Sequence, residues 1–220
     1  FTAVELCYFA KKSGRALDDI IHELKVAGLD ALPGGGAEIL VQSVRDEICS
    51  GKETGEEWLN AHRAVHKAGI FSNATMLFGH IETPEQRIEH LNLLRQLQDE
   101  THGFYAFIPL VFHPEHNSLG RRIPQITSEE DILRTVAISR LFLDNFPHIK
   151  AYWIQMGIST AMKALHAGAS DLDGTIIEEK ITHAAGASSP VGMTPEHIQE
   201  LIRAEGLIPV ERDAKYEIYS

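Results

Sequence analysis

The sequence predicts an α/β protein: part of a β/α barrel with about six strands. Short apolar runs alternate with capped amphipathic helices along the chain, the pattern of parallel βαβ units. The glycine cluster Gly34-Gly35-Gly36 matches neither G-x-x-x-x-G-K-[ST] nor G-x-G-x-x-G, so the nucleotide fingerprint that would favour a doubly wound sheet is missing. Polar residues also gather at the ends of the apolar runs, and barrel active sites collect at the C-terminal ends of strands. The partial barrel is expected over residues 1–206, with 207–220 as a C-terminal tail packed on it.

Phe1 to Leu6 reads as strand material, with Glu5 either a strand-end functional residue or the acid of a helix N-terminus. Ile20, Ile21, Leu24 and Ala27 mark a helix that Gly28 ends, and Leu29 to Leu32 is a short strand leading into the glycines. After Glu38, Leu40, Val44 and Ile48 predict a second short helix. Thr54 and Glu57 form a capping box, opening a helix with Trp58, Ala61 and Val65 on one face. Ile70 to Gly79 reads as a buried strand. Thr83, Pro84 and Gln86 cap a long helix whose buried face carries Ile88, Leu91, Leu94 and Leu97. Phe104 to Phe112 is a core strand, and the irregular stretch to Gln125 is long enough to cover a site. Thr127 to Glu130 caps another helix, Ile149 to Met156 is strand-like, and Gly157 to Leu165 is a short helix. Asp171 and Asp173 lie around a very short strand or turn, 178–185 is expected to be helical, and Thr194-Pro195 opens a final helix with Met193 and Ile198 as a hydrophobic staple.

Twenty basic against thirty-one acidic residues give the 220-residue chain a formal net charge of -11. That disfavours nucleic acid or an anionic membrane as the main partner. No apolar run approaches a membrane span and no secretory leader is visible. Cys7 and Cys49 are the only cysteines, so a disulfide scaffold is excluded and a reducing, cytoplasmic setting is the simpler expectation. The chain starts inside apparent strand material at Phe1, and is expected to be the remainder of a longer protein.

The strand ends supply the candidate chemistry. Three glycines in a row indicate a backbone that turns through positive φ or closely approaches another group. Either a ligand or a tight βα turn satisfies that requirement. His80 and Glu82 suit proton transfer or metal ligation, or else they fix their own loop; no third ligand accompanies them, and no metal site is assigned. His113 is favoured for a substrate or orienting role, whereas His116 is expected to be exposed. Asp171 and Asp173 share one face if the segment is a strand; alternatively, one engages a polar group while the other closes the turn before Gly174. Neither cysteine carries a sign of nucleophilic activation. Trp58 and Trp153 read as packing residues.

Several motifs together resemble a known family. Leu32 to Ile39, Asn73 to Thr83, and Leu97 to Thr101 followed by Gly103-Phe104 are similar to radical S-adenosylmethionine enzymes of the menaquinone and deazaflavin pathways. Phe107 to Leu110 with Phe112-His113-Pro114, and Ala169 to Thr175 with Glu178 to Ile181, are most similar to the aminofutalosine synthase branch. The resemblance covers nearly the whole chain. It implies a radical-SAM-type barrel that adds a 5'-deoxyadenosyl radical to 3-[(1-carboxyvinyl)oxy]benzoate, an aromatic enol ether, with loss of a carboxylate. It further implies S-adenosylmethionine, a [4Fe-4S] cluster and an external electron donor such as flavodoxin or ferredoxin. Gly34, Gly35, Gly36, Glu38, Asn73, Thr75, His80 and Glu82 would border the cofactor, and His113 and Asp173 the substrate.

One departure stands out. The superfamily holds its cluster with C-x3-C-x2-C, and nothing in this sequence supplies that motif, so the ligating cysteines are expected outside it and residues 1–220 alone are expected to be inactive. Cyclic dehypoxanthine futalosine synthase is the alternative within the superfamily. A non-catalytic barrel fragment or binding protein, and a hydrolytic or lyase barrel, are the alternatives outside that chemistry. Homo-oligomerisation stays open.

Overall fold

The computed structural model describes residues 1–176, 184, 190 and 192–219. The first helix, α1 (Ala3–Ser13), occupies the place where strand material was expected. Thr2 and Glu5 close a reciprocal capping box, and Ala3, Leu6 and Cys7 are buried at helical spacing. Glu5 is therefore a helix N-terminal acid. Next come α2 (Leu17–Val26) and β1 (Ala31–Leu32). The glycine turn does not open a helix directly, because residues 37–41 stay non-helical and α3 (Gln42–Ile48) begins only after Val41.

The middle of the chain follows its caps. Thr54 accepts from the Glu57 amide at the start of α4 (Gly55–Lys67), and Thr83 does the same with Gln86 at the start of α5 (Pro84–Thr101). Between them runs β2 (Phe71–Phe78), and β3 (Phe104–Val111) follows α5. Ser128, accepting from the Asp131 amide, opens α6 (Glu129–Phe142). The strand expected over Ile149–Met156 shrinks to β4 (His148–Ile149), after which the chain turns into α7 (Trp153–Met156). A continuous apolar run does not distinguish a buried strand from a buried helical turn, and here it contains both. Two helices complete the described elements, α8 (Ile158–His166) and α9 (Pro195–Ala204), with Thr194 capping the latter and Met193 and Ile198 both buried. The helix expected over 178–185 lies outside the described residues apart from residue 184.

Among the described residues the sheet has four strands, all parallel, in the order β1-β2-β3-β4, rather than about six. Asp171 adds a fifth position by a single parallel bridge to Lys150. Sequential neighbours joined by helices form an arc consistent with part of a β/α barrel. One face of that arc is the core: Ala74, Met76 and Phe78 of β2 and Phe107 and Val111 of β3 are packed beneath helix residues such as Leu91, Leu94 and Val136. Because strand side chains alternate, Asn73, Thr75, Leu77, Ile108 and Leu110 lie on the other face, the inner side of the arc. A register shift between Ser72 and Asn73, where Tyr105 is the extra residue on β3, keeps the two strands' inner faces aligned.

The tail approaches this inner face. Arg212 and Ile218 form an antiparallel bridge that turns residues 211–219 back on themselves. The Tyr216 ring stacks on His148 with centroids 4.4 Å apart and meets Tyr105 at 5.4 Å. No described helix is long and apolar enough to cross a membrane.

Candidate functional site

At the end of β1 the glycine turn is pressed onto β2. A Cβ on Gly34 would stand 2.7 Å from the Asn73 carbonyl oxygen and 2.8 Å from the Ala74 carbonyl carbon, so only glycine allows this approach. Gly36 has φ 87°, and a Cβ there would meet Val4 Cγ2 at 2.3 Å. The carbonyls of the turn face inward. Thr75 Oγ1 donates to Gly34 at 2.7 Å, Trp58 Nε1 to Gly35 at 3.2 Å, and the Leu77 amide to Glu38 at 2.9 Å. Arg45 closes the set. Its guanidinium donates to the carbonyls of Gly36, Ala37, Ile39 and Glu53, and the residue is only 2% exposed. The Glu38 carboxylate turns outward to Lys52 at 2.9 Å.

The loop after β2 is self-contained. Glu82 accepts from the Gly79 amide at 2.6 Å and the His80 amide at 2.9 Å, and pairs with Arg87 at 2.8 Å. Arg87 in turn donates to Asp131 and Thr135, each at 2.9 Å, tying the loop to α6. His80 Nε2 donates to the Leu77 carbonyl at 3.0 Å, while Nδ1 lies 2.8 Å from the Ile81 amide nitrogen and 3.0 Å from Glu82 Oε2. Burial, opposed by the Glu82 charge, holds its pKa below the ordinary histidine value. Both side chains are fully enclosed, the arrangement of a loop-fixing pair.

His113 follows β3 and donates from Nε2 to the Gln155 carbonyl at 3.0 Å. Its carbonyl accepts from Asn117, whose side-chain oxygen receives the Gly120 amide, so Asn117 organises the irregular segment. Asn73 and Thr75 lie on the inner face below this loop, Thr75 buried against the glycine turn.

The last candidate group contains residues that sequence patterns did not single out. Lys150, directly after β4, pairs with Asp173 and is 6% exposed. Asp173 adopts φ 69°, and its amide donates to Asp171 Oδ1 at 2.7 Å. Arg212 from the tail holds the other Asp171 oxygen and lies 4.0 Å from the centre of the Tyr216 ring. Burial by itself would raise the Asp171 pKa, but the Arg212 hydrogen bond and the Lys150 and Arg212 charges bring it below the ordinary carboxylate value. Burial and the Asp171 charge raise that of Tyr216. Period-two reading from buried Ile149 marks Lys150 as inward-facing, a signal available in the sequence; Arg45 and the tail residues carry no comparable signal.

The candidate residues thus form four local groups: the glycine turn with Thr75, the His80–Glu82 loop, His113 with the Gln155 carbonyl, and Lys150 with Asp173. No described group of three His, Cys, Asp or Glu side chains is placed to hold a metal ion. Cys7 is buried on α1 and Cys49 follows α3, so their donor set does not fit a cluster that needs three closely spaced thiolates.

Residues 101–220 match the family described as CofH/MqnC C-terminal region. The chain is 49% identical over 218 residues to an aminodeoxyfutalosine synthase of Thermus thermophilus, a match covering 98% of the chain and 59% of that protein. It is 44% identical over 228 residues to the enzyme of the same name from Streptomyces coelicolor, covering 99% and 59%. A 5-amino-6-(D-ribitylamino)uracil--L-tyrosine 4-hydroxyphenyl transferase of Archaeoglobus fulgidus is 42% identical over 221 residues, covering 99% and 64%. The chain therefore spans about three fifths of the length of these curated relatives.

Proposed function

We propose, from the premise that this chain belongs to the CofH/MqnC C-terminal-region family of the radical S-adenosylmethionine superfamily, that it forms the C-terminal part of an aminofutalosine-forming enzyme. In this reading the whole protein joins a 5'-deoxyadenosyl group to 3-[(1-carboxyvinyl)oxy]benzoate, with loss of a carboxylate, in menaquinone biosynthesis. The observation that carries it is the 49% and 44% identity, over 98% and 99% of the chain, to two proteins named for aminodeoxyfutalosine synthesis.

The chemistry that S-adenosylmethionine supplies when bound is a carbon radical; the cluster cysteines and the electron donor, a flavodoxin or ferredoxin, belong outside residues 1–220. This chain's own work is positioning. Leu77, Ile108 and Leu110 offer an apolar wall to an aromatic ring and exclude water. His113 and Asp173 border the substrate. The Gly34–Glu38 turn, Asn73, Thr75 and the His80–Glu82 loop border the cofactor side, with the loop contributing a rigid backbone rather than a mobile side chain. A 4-hydroxyphenyl transfer from tyrosine is the second reading, favoured by the 42% identity to the Archaeoglobus protein.

The test is turnover by the complete protein, anaerobically supplied with S-adenosylmethionine and reductant, and offered either the enol-ether benzoate or tyrosine with 5-amino-6-(D-ribitylamino)uracil. The product mass of aminofutalosine is expected from the first mixture. A tyrosine-derived adduct from the second mixture, with the benzoate untouched, would overturn the assignment in favour of the second reading.

A further inference from the structure

Across the inner face, Thr75 of β2 stands beside Ile108 of β3, and continuing the β3–β4 register places Lys150 beside Ile108 and Asp171 beyond it. The row thus passes from a hydroxyl spent on the glycine turn, through an apolar residue, to a buried cation. Lys150 is an unusual occupant of that position. Removing an ammonium and a carboxylate from water is costly, so a buried pair is weak evidence for stability alone. Lys150 has three N–H donors, and its one hydrogen-bond acceptor among the described residues is Asp173. The Tyr216 ring lies 5.7 Å from its nitrogen, a cation–π contact that consumes no donor. Its partner Asp173 sits on left-handed backbone, an arrangement retained where surrounding contacts over-determine it. Here those contacts are Asp171 and, behind it, Arg212.

We infer that Lys150 binds a carboxylate of the aromatic substrate, with Asp173 holding the ammonium in place. This rests on the substrate reading given above. The reaction itself selects which carboxylate. The enol-ether carboxylate sits on the reacting alkene and is the one lost, so it cannot serve as a lasting anchor. The group at Lys150 is then the ring carboxylate, remote from the reacting carbon, and its binding energy orients the substrate. Asp173 acts through Lys150 and is a positioning residue.

The experiment compares two substrates in the complete, cofactor-loaded protein: 3-[(1-carboxyvinyl)oxy]benzoate and the analogue that lacks the ring carboxylate. A charge-assisted hydrogen bond predicts that kcat/KM of the parent protein is about 10- to 100-fold higher for the acid. In Lys150→Met this ratio should collapse towards one, and in Lys150→Arg it should largely recover. The ratio is taken within each variant, so a reduced folded fraction cancels. Asp173→Asn should keep the preference for the acid but lower it severalfold. Lys150→Met retaining the parent ratio overturns the inference while leaving the substrate reading intact. A parent protein that ignores both enol ethers but turns over tyrosine with the ribitylaminouracil removes the substrate reading and the inference together.

Discussion

Acid should destabilise this fold through α4 before it protonates most of the surface carboxylates. His66 Nδ1 lies 2.7 Å from Thr101 Oγ1, and that hydroxyl donates to the Leu97 carbonyl at 2.8 Å, so it can only accept from His66. Nε2 of His66 therefore accepts from Ser72 Oγ at 2.8 Å, and Ser72 in turn accepts from His62 Nδ1 at 2.8 Å. Every proton in the relay is assigned, and both rings are neutral. Burial pushes the His66 pKa from 6.5 to about 4 and that of His62 well down, the latter lowered further by its neighbour His66. His90, accepting from the Leu40 amide, is brought by burial to about 3.

The folded-state pKa values are depressed, so the unfolded chain binds more protons between them and 6.5. Stability is thus complete above pH 6.5 and falls with pH until about 4 for His66 and about 3 for His90. For His66 the full loss is about 3 kcal/mol, of which about 2 kcal/mol has gone by pH 5. Urea unfolding at steps from pH 8 to 4.5 measures it. Replacing His66 by Gln should lower stability throughout but flatten the slope near pH 5 by about one proton. A flat wild-type profile between pH 7 and 5, or equal slopes in the two proteins, would refute the assigned relay.

Two further substitutions test the glycine turn. Gly34→Ala places its methyl group against the β2 backbone, which cannot rotate away, and should cost about 1–3 kcal/mol in urea unfolding, with more if β1 detaches. Arg45→Met empties the guanidinium position and leaves the buried carbonyls of Ala37, Ile39 and Glu53 without that donor; a thermal midpoint lowered by at least several degrees is expected, and an unchanged midpoint would show that water replaces the clamp.

The helices that carry explicit caps were readable because a threonine and its N3 partner report a local hydrogen-bond exchange: Thr54 with Glu57 and Thr83 with Gln86 start α4 and α5 as expected. The same signal was present at Thr2 and Glu5, yet the apolar run around it was read as a strand. Ile149 to Met156 failed for a related reason, since eight mostly apolar residues fit either a strand or a buried turn of helix. Within the site, the close approach required by Gly34 was legible from composition. Its partner Arg45 was not, because a lone arginine on a short helix ordinarily faces water. Lys150 and Arg212 meet through Asp173 and Asp171 only after the tail has folded back, a juxtaposition that no local window contains.

Lys215 pairs with Asp30 across 185 positions, and Tyr216 lies against His148 and Tyr105 beside it. Residues 211–219 emerge from a ribosome after every strand of the described sheet. Until they do, His148 lacks its stacking partner and Asp171 lacks its guanidinium, although the helix-packed side of the sheet can already be complete. The loop they close is long, but loop entropy grows only logarithmically with length, so the delay is set by synthesis rather than by the search. Scaffold and interior are consequently separable, and removal of the residues after 205 is expected to leave the strand pairing in place while opening the floor beneath it.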